Sequence, residues 1–259
     1  MGRAIEFNYP PKKIISIVPS QTELLYYLGL EKEVVGITKF CVHPEEWFRN
    51  KKRVGGTKKI NFEIIDQLSP DLIIANKEEN EKAQIEELSK KYPVWISDII
   101  SLKDSLEMIK EIGKLTNREN KSAELIEKIK REFELLNKEA ATLPPLRTLY
   151  FIWNKPYMAA AQNTFINEML SICNLKNVLE KDERYPELTL EKIKSLNPEL
   201  ILLSLEPYPF KQKHIDELKV VLPNTQIKLV DGEMFSWYGS RLLLAPKYFK
   251  RLLNDIHNK

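Results

Sequence analysis

Glycine is scarce in this chain: 8 in 259 residues, fewer than the 15 prolines. Average usage of about 7% would put roughly eighteen there. A phosphate-cradling loop needs several glycines close together, and the only adjacent pair is Gly55-Gly56. Neither G-x-G-x-x-G nor G-x-x-x-x-G-K occurs, which excludes nucleotide-binding folds of those two kinds. Cysteine is scarcer still. Cys41 and Cys173 are too few for a disulfide framework, and one bond between them stays open. There is no G-x-S-x-G elbow, no H-E-x-x-H and no paired C-x-x-C, and only His43, His214 and His257 offer imidazole. General-base capacity is therefore small. His214 falls in a charged helical segment and His257 near the chain end, so both read as solvated. No apolar run approaches the roughly 18–20 residues of a membrane helix. The first residues lack the apolar core of a secretory signal, so either the chain acts in the cytoplasm or a leader has been removed. Forty basic and 37 acidic side chains give a net charge of +3. That balance describes a solvated surface and excludes a nucleic-acid footprint, which would cluster its Lys and Arg.

What is present is an alternation of short apolar runs and helical patterns. Residues 13–18 (KIISIV) read as a buried strand. Ser20 and Glu23 fit a capping box, Leu24, Leu25 and Leu28 form a helical stripe, and Gly29 suits a left-handed C′ position. Strands follow at 34–38, 71–75 and 94–97. Helices are predicted from Asn61 to Leu68, over 79–91, and over 101–116 with Ser101 and Asp104 as a cap pair. Such alternation predicts parallel strands with helices on their faces. Residues 117–141 hold no glycine or proline, and Leu125, Ile126, Ile129, Phe133 and Leu136 recur at helical spacing. One helix of about 25 residues would be about 37 Å long. Alternation then resumes, with strands at 148–153, 200–204 and 227–230 and helices at 163–173, 189–196, 210–218 and from about 242.

A cryptic repeat points to two equivalent lobes. NFEIIDQLSPDLIIA (61–75) aligns without gaps on TLEKIKSLNPELILL (189–203), 128 residues later. Glu63/Glu191, Leu68/Leu196, Pro70/Pro198, Leu72/Leu200 and Ile73/Ile201 are identical, and each copy reads helix, proline stop, buried strand. The expected architecture is α/β: an N-terminal parallel-sheet lobe over 1–116, a connecting backbone helix over 117–143 and a C-terminal lobe over 144–259.

VPSQTELLYYLGL, VVGITKFCVHP, RVGGTK, the first repeat copy and DGEMFSWYGSR occur in an order and spacing that resemble the periplasmic-binding proteins for vitamin B12, haem and iron–siderophores. The resemblance runs from about Lys13 to the C-terminus and is nearest to the vitamin B12-binding branch. It implies a monomeric substrate-binding subunit of an ABC importer, placed in the periplasm or cell envelope. Such a subunit catalyses nothing, requires no cofactor and holds no resident metal. The resemblance implies a ligand cleft between the two lobes, from which a corrinoid, haem or ferric-siderophore-like ligand is carried to a permease dimer. Glu63 and Glu191 would meet the two permease subunits. The dipole account stands beside that role, since acids in a helix's first turn gain about 0.3–1 kcal/mol each.

Ligands of open α/β sheets sit outside the carboxyl ends of the strands, so the segments there are the candidates. Phe40 follows the second strand, where the family usually has an aromatic. Gly56 and Thr57 belong to a turn that approaches the ligand, and Asn76 follows DLIIA. Vitamin B12 binders can carry tryptophan at the place of Thr57, so the aromatic wall differs here. Trp153, Tyr185, Trp237 and Tyr238 supply aromatics, and Glu206 and Tyr208 would line the same cleft. Arg241 offers a bidentate fork for a carboxylate or phosphate. Gly55, Gly56, Gly232 and Gly239 are placed in rim loops. Cys41 and His43 are too few for a structural zinc site and read as a core thiol and a loop imidazole. Two rivals remain: a chelatase-type enzyme acting on a tetrapyrrole through His43 and a carboxylate such as Glu78, and a cytoplasmic ligand sensor or scavenger.

Overall fold

The computed structural model describes residues 5–258. The elements run β1 (Ile14–Ser16), α1 (Pro19–Tyr27), β2 (Val34–Ile37), α2 (Glu45–Asn50), β3 (Lys52–Arg53), α3 (Phe62–Leu68), β4 (Leu72–Asn76), α4 (Lys82–Leu88), β5 (Val94–Ser97), α5 (Leu102–Leu115) and α6 (Glu119–Ala140). They continue with β6 (Leu146–Trp153), β7 (Tyr157–Ala159), α7 (Phe165–Ile172), β8 (Leu175–Asn177), β9 (Glu187–Leu188), α8 (Leu190–Leu196), β10 (Leu200–Ser204), α9 (Gln212–Val221), β11 (Gln226–Val230), α10 (Gly232–Ser236), a 3-10 turn (Ser240–Leu243) and α11 (Ala245–His257). Two compact units result. One comprises the chain to Ile99 with Lys103–Lys128 and Trp237–Arg241; the other comprises Ile100–Leu102, Ile129–Ser236 and the residues from Leu242.

The first unit holds a five-stranded sheet in the order β3-β2-β1-β4-β5, parallel throughout. Every residue of β1 and β4 is buried, as parallel strands covered on both faces require. The second unit's sheet runs β11-β10-β6-β7-β9 with β8 also on β6. Here β11, β10, β6 and β8 are parallel, while β7 and β9 add an antiparallel margin. Four parallel strands therefore share one order in both units, β2-β1-β4-β5 and β8-β6-β10-β11. Each sheet carries its own apolar core, around Ile65, Ile73 and Ile85 in the first and Ile193, Ile201 and Leu218 in the second.

The sequence repeat is a structural repeat down to its hydrogen bonds. Asn61 Oδ1 accepts the Ile64 N–H at 3.1 Å, and Thr189 Oγ1 accepts the Lys192 N–H at 3.2 Å. α3 and α8 both end on a left-handed residue, Ser69 (φ 47°) and Asn197 (φ 44°). Asp71 then accepts the N–H groups of Lys12 and Lys13, and Glu199 that of Arg147. Past the strands, Asn76 Oδ1 accepts the Glu78 N–H and Ser204 Oγ the Glu206 N–H. A chance sequence match would not reproduce three such bonds and a left-handed stop in succession.

Several local expectations fail for physical reasons. α1 begins at Pro19, with Val18 as its N-cap and no side-chain cap bond. Proline's fixed φ already suits the first helical position, so Ser20 lies buried inside the helix and Glu23 is released for another partner. α4 starts at Lys82, not 79, because the asparagine bonds of residues 76–80 fold a turn there first. α6 is one 22-residue helix, about 33 Å long, separated from α5 by Asn117 at φ 56°. Thr164, not Asn163, caps α7. Gly232 opens α10 and is buried; a Cβ on it would meet Ser204 Oγ at 2.2 Å, so close packing and not a rim loop demands glycine.

Candidate functional site

The carboxyl ends of β2, β3 and β4 build the first unit's site. Lys39 N–H bonds to the Gly55 carbonyl at 2.8 Å and Gly56 N–H to the Lys59 carbonyl at 2.7 Å. Gly55 sits at φ 103°, where a Cβ would lie 2.5 Å from the Lys59 oxygen; only glycine makes this turn. The turn sets Gly56 beneath Phe40, whose ring edge would be 3.1 Å from a Cβ at Gly56. Phe40 itself is 50% exposed, with the Lys39 ammonium 5.0 Å from its ring centre. The result is an open groove of about 800 Å³ lined by Lys39, Phe40, Gly56, Lys59 and, toward α3, Glu63. Sequence reasoning named Phe40 and Gly56 but passed over Lys39 and Lys59. The T-K-F and T-K-K pairs flanking the named residues carried that signal.

Thr57 and Asn76 support this groove from within. Thr57 is buried and its carbonyl accepts Asn80 Nδ2 at 3.1 Å. Asn76 is 2% exposed. Its Oδ1 accepts two backbone N–H groups and its Nδ2 donates to Ser97. With the amide engaged at both ends, Asn76 fixes the shape of the loop. Asn80 completes the network by accepting the Asn76 N–H and donating to Ile17. The 79–91 helix expectation hid it.

Cys41 is a core thiol. Thr22 and Thr38 hydroxyls lie 3.1 and 3.2 Å from its sulfur, and burial pushes its ionisation above the usual thiol range. His43 meets Trp237 edge-on at 5.6 Å. Trp237 in turn lies 4.8 Å beneath the Arg241 guanidinium. Arg241 is 7% exposed and grips Glu23 through two bonds, Nε at 2.9 Å and Nη2 at 2.7 Å. The bidentate fork foreseen for a ligand is therefore directed at a partner within the protein. Trp237 and Tyr238 are likewise buried, at 8% and 6%.

In the second unit, Trp153 closes β6 and is 40% exposed. Tyr208 packs against it at 5.4 Å and accepts Asn154 Nδ2 at 3.2 Å. His214 is buried, contrary to the solvated reading. Its Nδ1 accepts the Lys211 N–H at 2.8 Å, which leaves the proton on Nε2, 3.3 Å from the Tyr208 oxygen. The imidazole thus braces the tyrosine that braces Trp153. Tyr185 is half-buried beside Arg184, and Glu206 accepts the Ser236 hydroxyl. Glu63 and Glu191 stand exposed in matching first turns of α3 and α8. The Glu191 carboxyl is held below its ordinary range by its own backbone N–H and the Thr189 hydroxyl.

Comparison with known proteins gives a consistent picture. The family profile described as periplasmic binding protein matches residues 14–220. An uncharacterised ABC transporter substrate-binding lipoprotein of Bacillus subtilis, YvrC, is 30% identical over 74% of this chain and 63% of its own length. A vitamin B12-binding protein of Vibrio parahaemolyticus is 25% identical over 76% of this chain and 72% of its own. Among solved structures, the periplasmic vitamin B12-binding protein BtuF of Vibrio cholerae superposes with a TM-score of 0.82, at 22% identity, covering 96% of this chain and 99% of that one.

Proposed function

Because the chain belongs to the periplasmic binding protein family, we propose that it is the substrate-binding subunit of an ABC importer. It takes a corrinoid, haem or ferric-siderophore-like ligand noncovalently into the loops at the carboxyl ends of its strands. The observation that carries this reading is the exposed Phe40 ring laid over side-chain-free Gly56 at the mouth of an open groove. A half-exposed aromatic held in place by a glycine turn contributes little to a core and offers a flat apolar face to a ligand. Trp153, held by Tyr208, offers a second such face. Tyr185 joins them, while the Thr57 carbonyl, through Asn80, fastens the turn that carries Gly56.

Delivery to a permease dimer falls to Glu63 and Glu191. They are exposed, they occupy equivalent places in the repeat, and neither forms an ion pair among the described residues. Two separated carboxylates of this kind set orientation and association rate more than affinity. The family places such subunits in the periplasm or on the cell envelope. The enzyme reading finds no support in the loops: His43 packs on Trp237, and the Glu78 backbone is tied to Asn76 and Lys58.

Titration of the purified protein with cyanocobalamin, haemin and a ferric siderophore, followed by tryptophan quenching, tests the reading. Binding tighter than about millimolar, or about −4 kcal/mol, is expected for at least one. Weaker binding of all of them overturns the receptor assignment. A Glu63→Ala/Glu191→Ala double variant keeps ligand affinity and loses transport; loss of affinity would move these residues to the ligand.

A further inference from the structure

Resting on the receptor reading above, we infer that the ligand is an anionic metal chelate, one that carries carboxylates or comparable oxyanions on a flat body. The charge inside the groove of the first unit is the reason. Three lysines line it, Lys39, Lys58 and Lys59, against one acid, Glu63. The Lys58 ammonium is bonded to the Glu78 carbonyl. That leaves Lys39 and Lys59, both exposed, neither in an ion pair among the described residues. The Lys39 ammonium lies 5.0 Å from the Phe40 ring centre, and Lys59 lines the same groove.

A ligand without negative charge gains nothing from two such ammonium groups and must strip some of their water to reach the ring. An anionic ligand gains from both, since a groove lined by one sign of charge raises the local concentration of its counter-ion. The two features also divide the ligand. The Phe40 face and the open floor take its apolar plane, and the lysines take its charged margin. Haem, with an aromatic plane edged by two carboxylates, has this division; a ferric catecholate shares its charge. Cyanocobalamin, which carries no net negative charge, does not.

The test compares haemin, a ferric tricatecholate and cyanocobalamin as probes of the whole chain. Dissociation constants are measured at about 50 and about 200 mM salt, a range over which screening of exposed charges changes strongly. The wild type is set against Lys39→Gln/Lys59→Gln and Lys39→Arg/Lys59→Arg. At least one anionic probe binds about tenfold or more tighter than cyanocobalamin. The Gln pair weakens that probe about tenfold and flattens its salt dependence, and the Arg pair keeps both. The response of haemin against the catecholate shows which kind of oxyanion is taken. Cyanocobalamin binding as tightly as the anionic probes, or a Gln pair without effect, overturns the inference and leaves the receptor reading standing. Absence of binding by all three probes overturns both. Circular dichroism of each variant confirms that a loss is not a failure to fold.

Discussion

Residues 61–76 and 189–204 build the same frame from different letters, and the loops that adjoin them part company. Asn61 and Thr189 do one job, as do Ser69 and Asn197, and Asp71 and Glu199. Each job is defined by chemistry that several residues can supply: a short acceptor for a helix N-terminus, a left-handed stop, a carboxylate over an adjoining strand. The adjoining loops have no such latitude. In the first unit, glycine, lysine and asparagine make an open, lysine-rich groove around Phe40. In the second, Tyr208, Phe210 and His214 make a dry aromatic brace behind Trp153. A duplicated frame thus carries two different surfaces.

The largest test of that equivalence is a matched pair of core deletions. Ile73 and Ile201 are fully buried and occupy the same strand position. Ile73→Ala and Ile201→Ala should each cost about 2–5 kcal/mol, read separately in each unit by hydrogen exchange. Losses differing by more than about 2 kcal/mol would show that the two cores relax differently around a cavity, and the equivalence would then stop at the backbone.

A somewhat smaller effect probes what only the first unit has. Residues 237–241 return to it late in the chain and are fastened by the Glu23–Arg241 pair, whose side chains are 20% and 7% exposed. Glu23→Ala leaves a buried guanidinium without its carboxylate, costing about 2–4 kcal/mol, and releases Trp237. Exchange protection over 237–241 should fall while that of the second unit stays put. Unchanged protection would mean that packing alone holds the segment.

These features were unequally legible in the sequence. The parallel frames were, because buried strands appear as apolar runs and the repeat preserved its proline and leucine positions. The long helix was, because 119–140 keeps one apolar stripe without a glycine or proline. Ser20 misled because its capping pattern competed with a proline one residue earlier, and the proline fixed the start. Arg241 misled because a bidentate fork looks the same in sequence whether it grips a ligand or Glu23, 218 residues away. His214 misled because its burial comes from Tyr208 and Phe210 packing back on the helix, and charged neighbours in sequence do not report that. β7, β8 and β9 are three residues long or fewer, too short for alternation to register.

The carboxylates over the adjoining strands should separate the two frames by a smaller margin. Asp71 accepts two backbone N–H groups, at 2.8 and 2.9 Å, and Glu199 one, at 2.8 Å. Asp71→Ala is expected to cost about 1–2 kcal/mol and Glu199→Ala about half that, measured as shifts of the denaturation midpoint at constant slope. The reverse order would mean that the longer glutamate is the better anchor and that bond count is the wrong measure.

The smallest effect is a pH dependence confined to one copy. Glu79 follows Asn76 in the first unit; the equivalent place in the second is Pro207, which cannot ionise. Burial pushes the Glu79 carboxyl above its ordinary 4.5, with Lys58 opposing and Glu78 adding to the rise. A carboxyl whose folded value is raised contributes stability that is complete below 4.5 and lost as the pH climbs through the raised value. Between 4.5 and neutrality the first unit should therefore lose protection as pH rises, and the second should show no matching trend from this position. Glu79→Gln keeps the shape without the charge and should abolish the slope in the first unit alone. A slope that survives in the Gln variant would trace the titration to another group and leave the two loops alike in this respect.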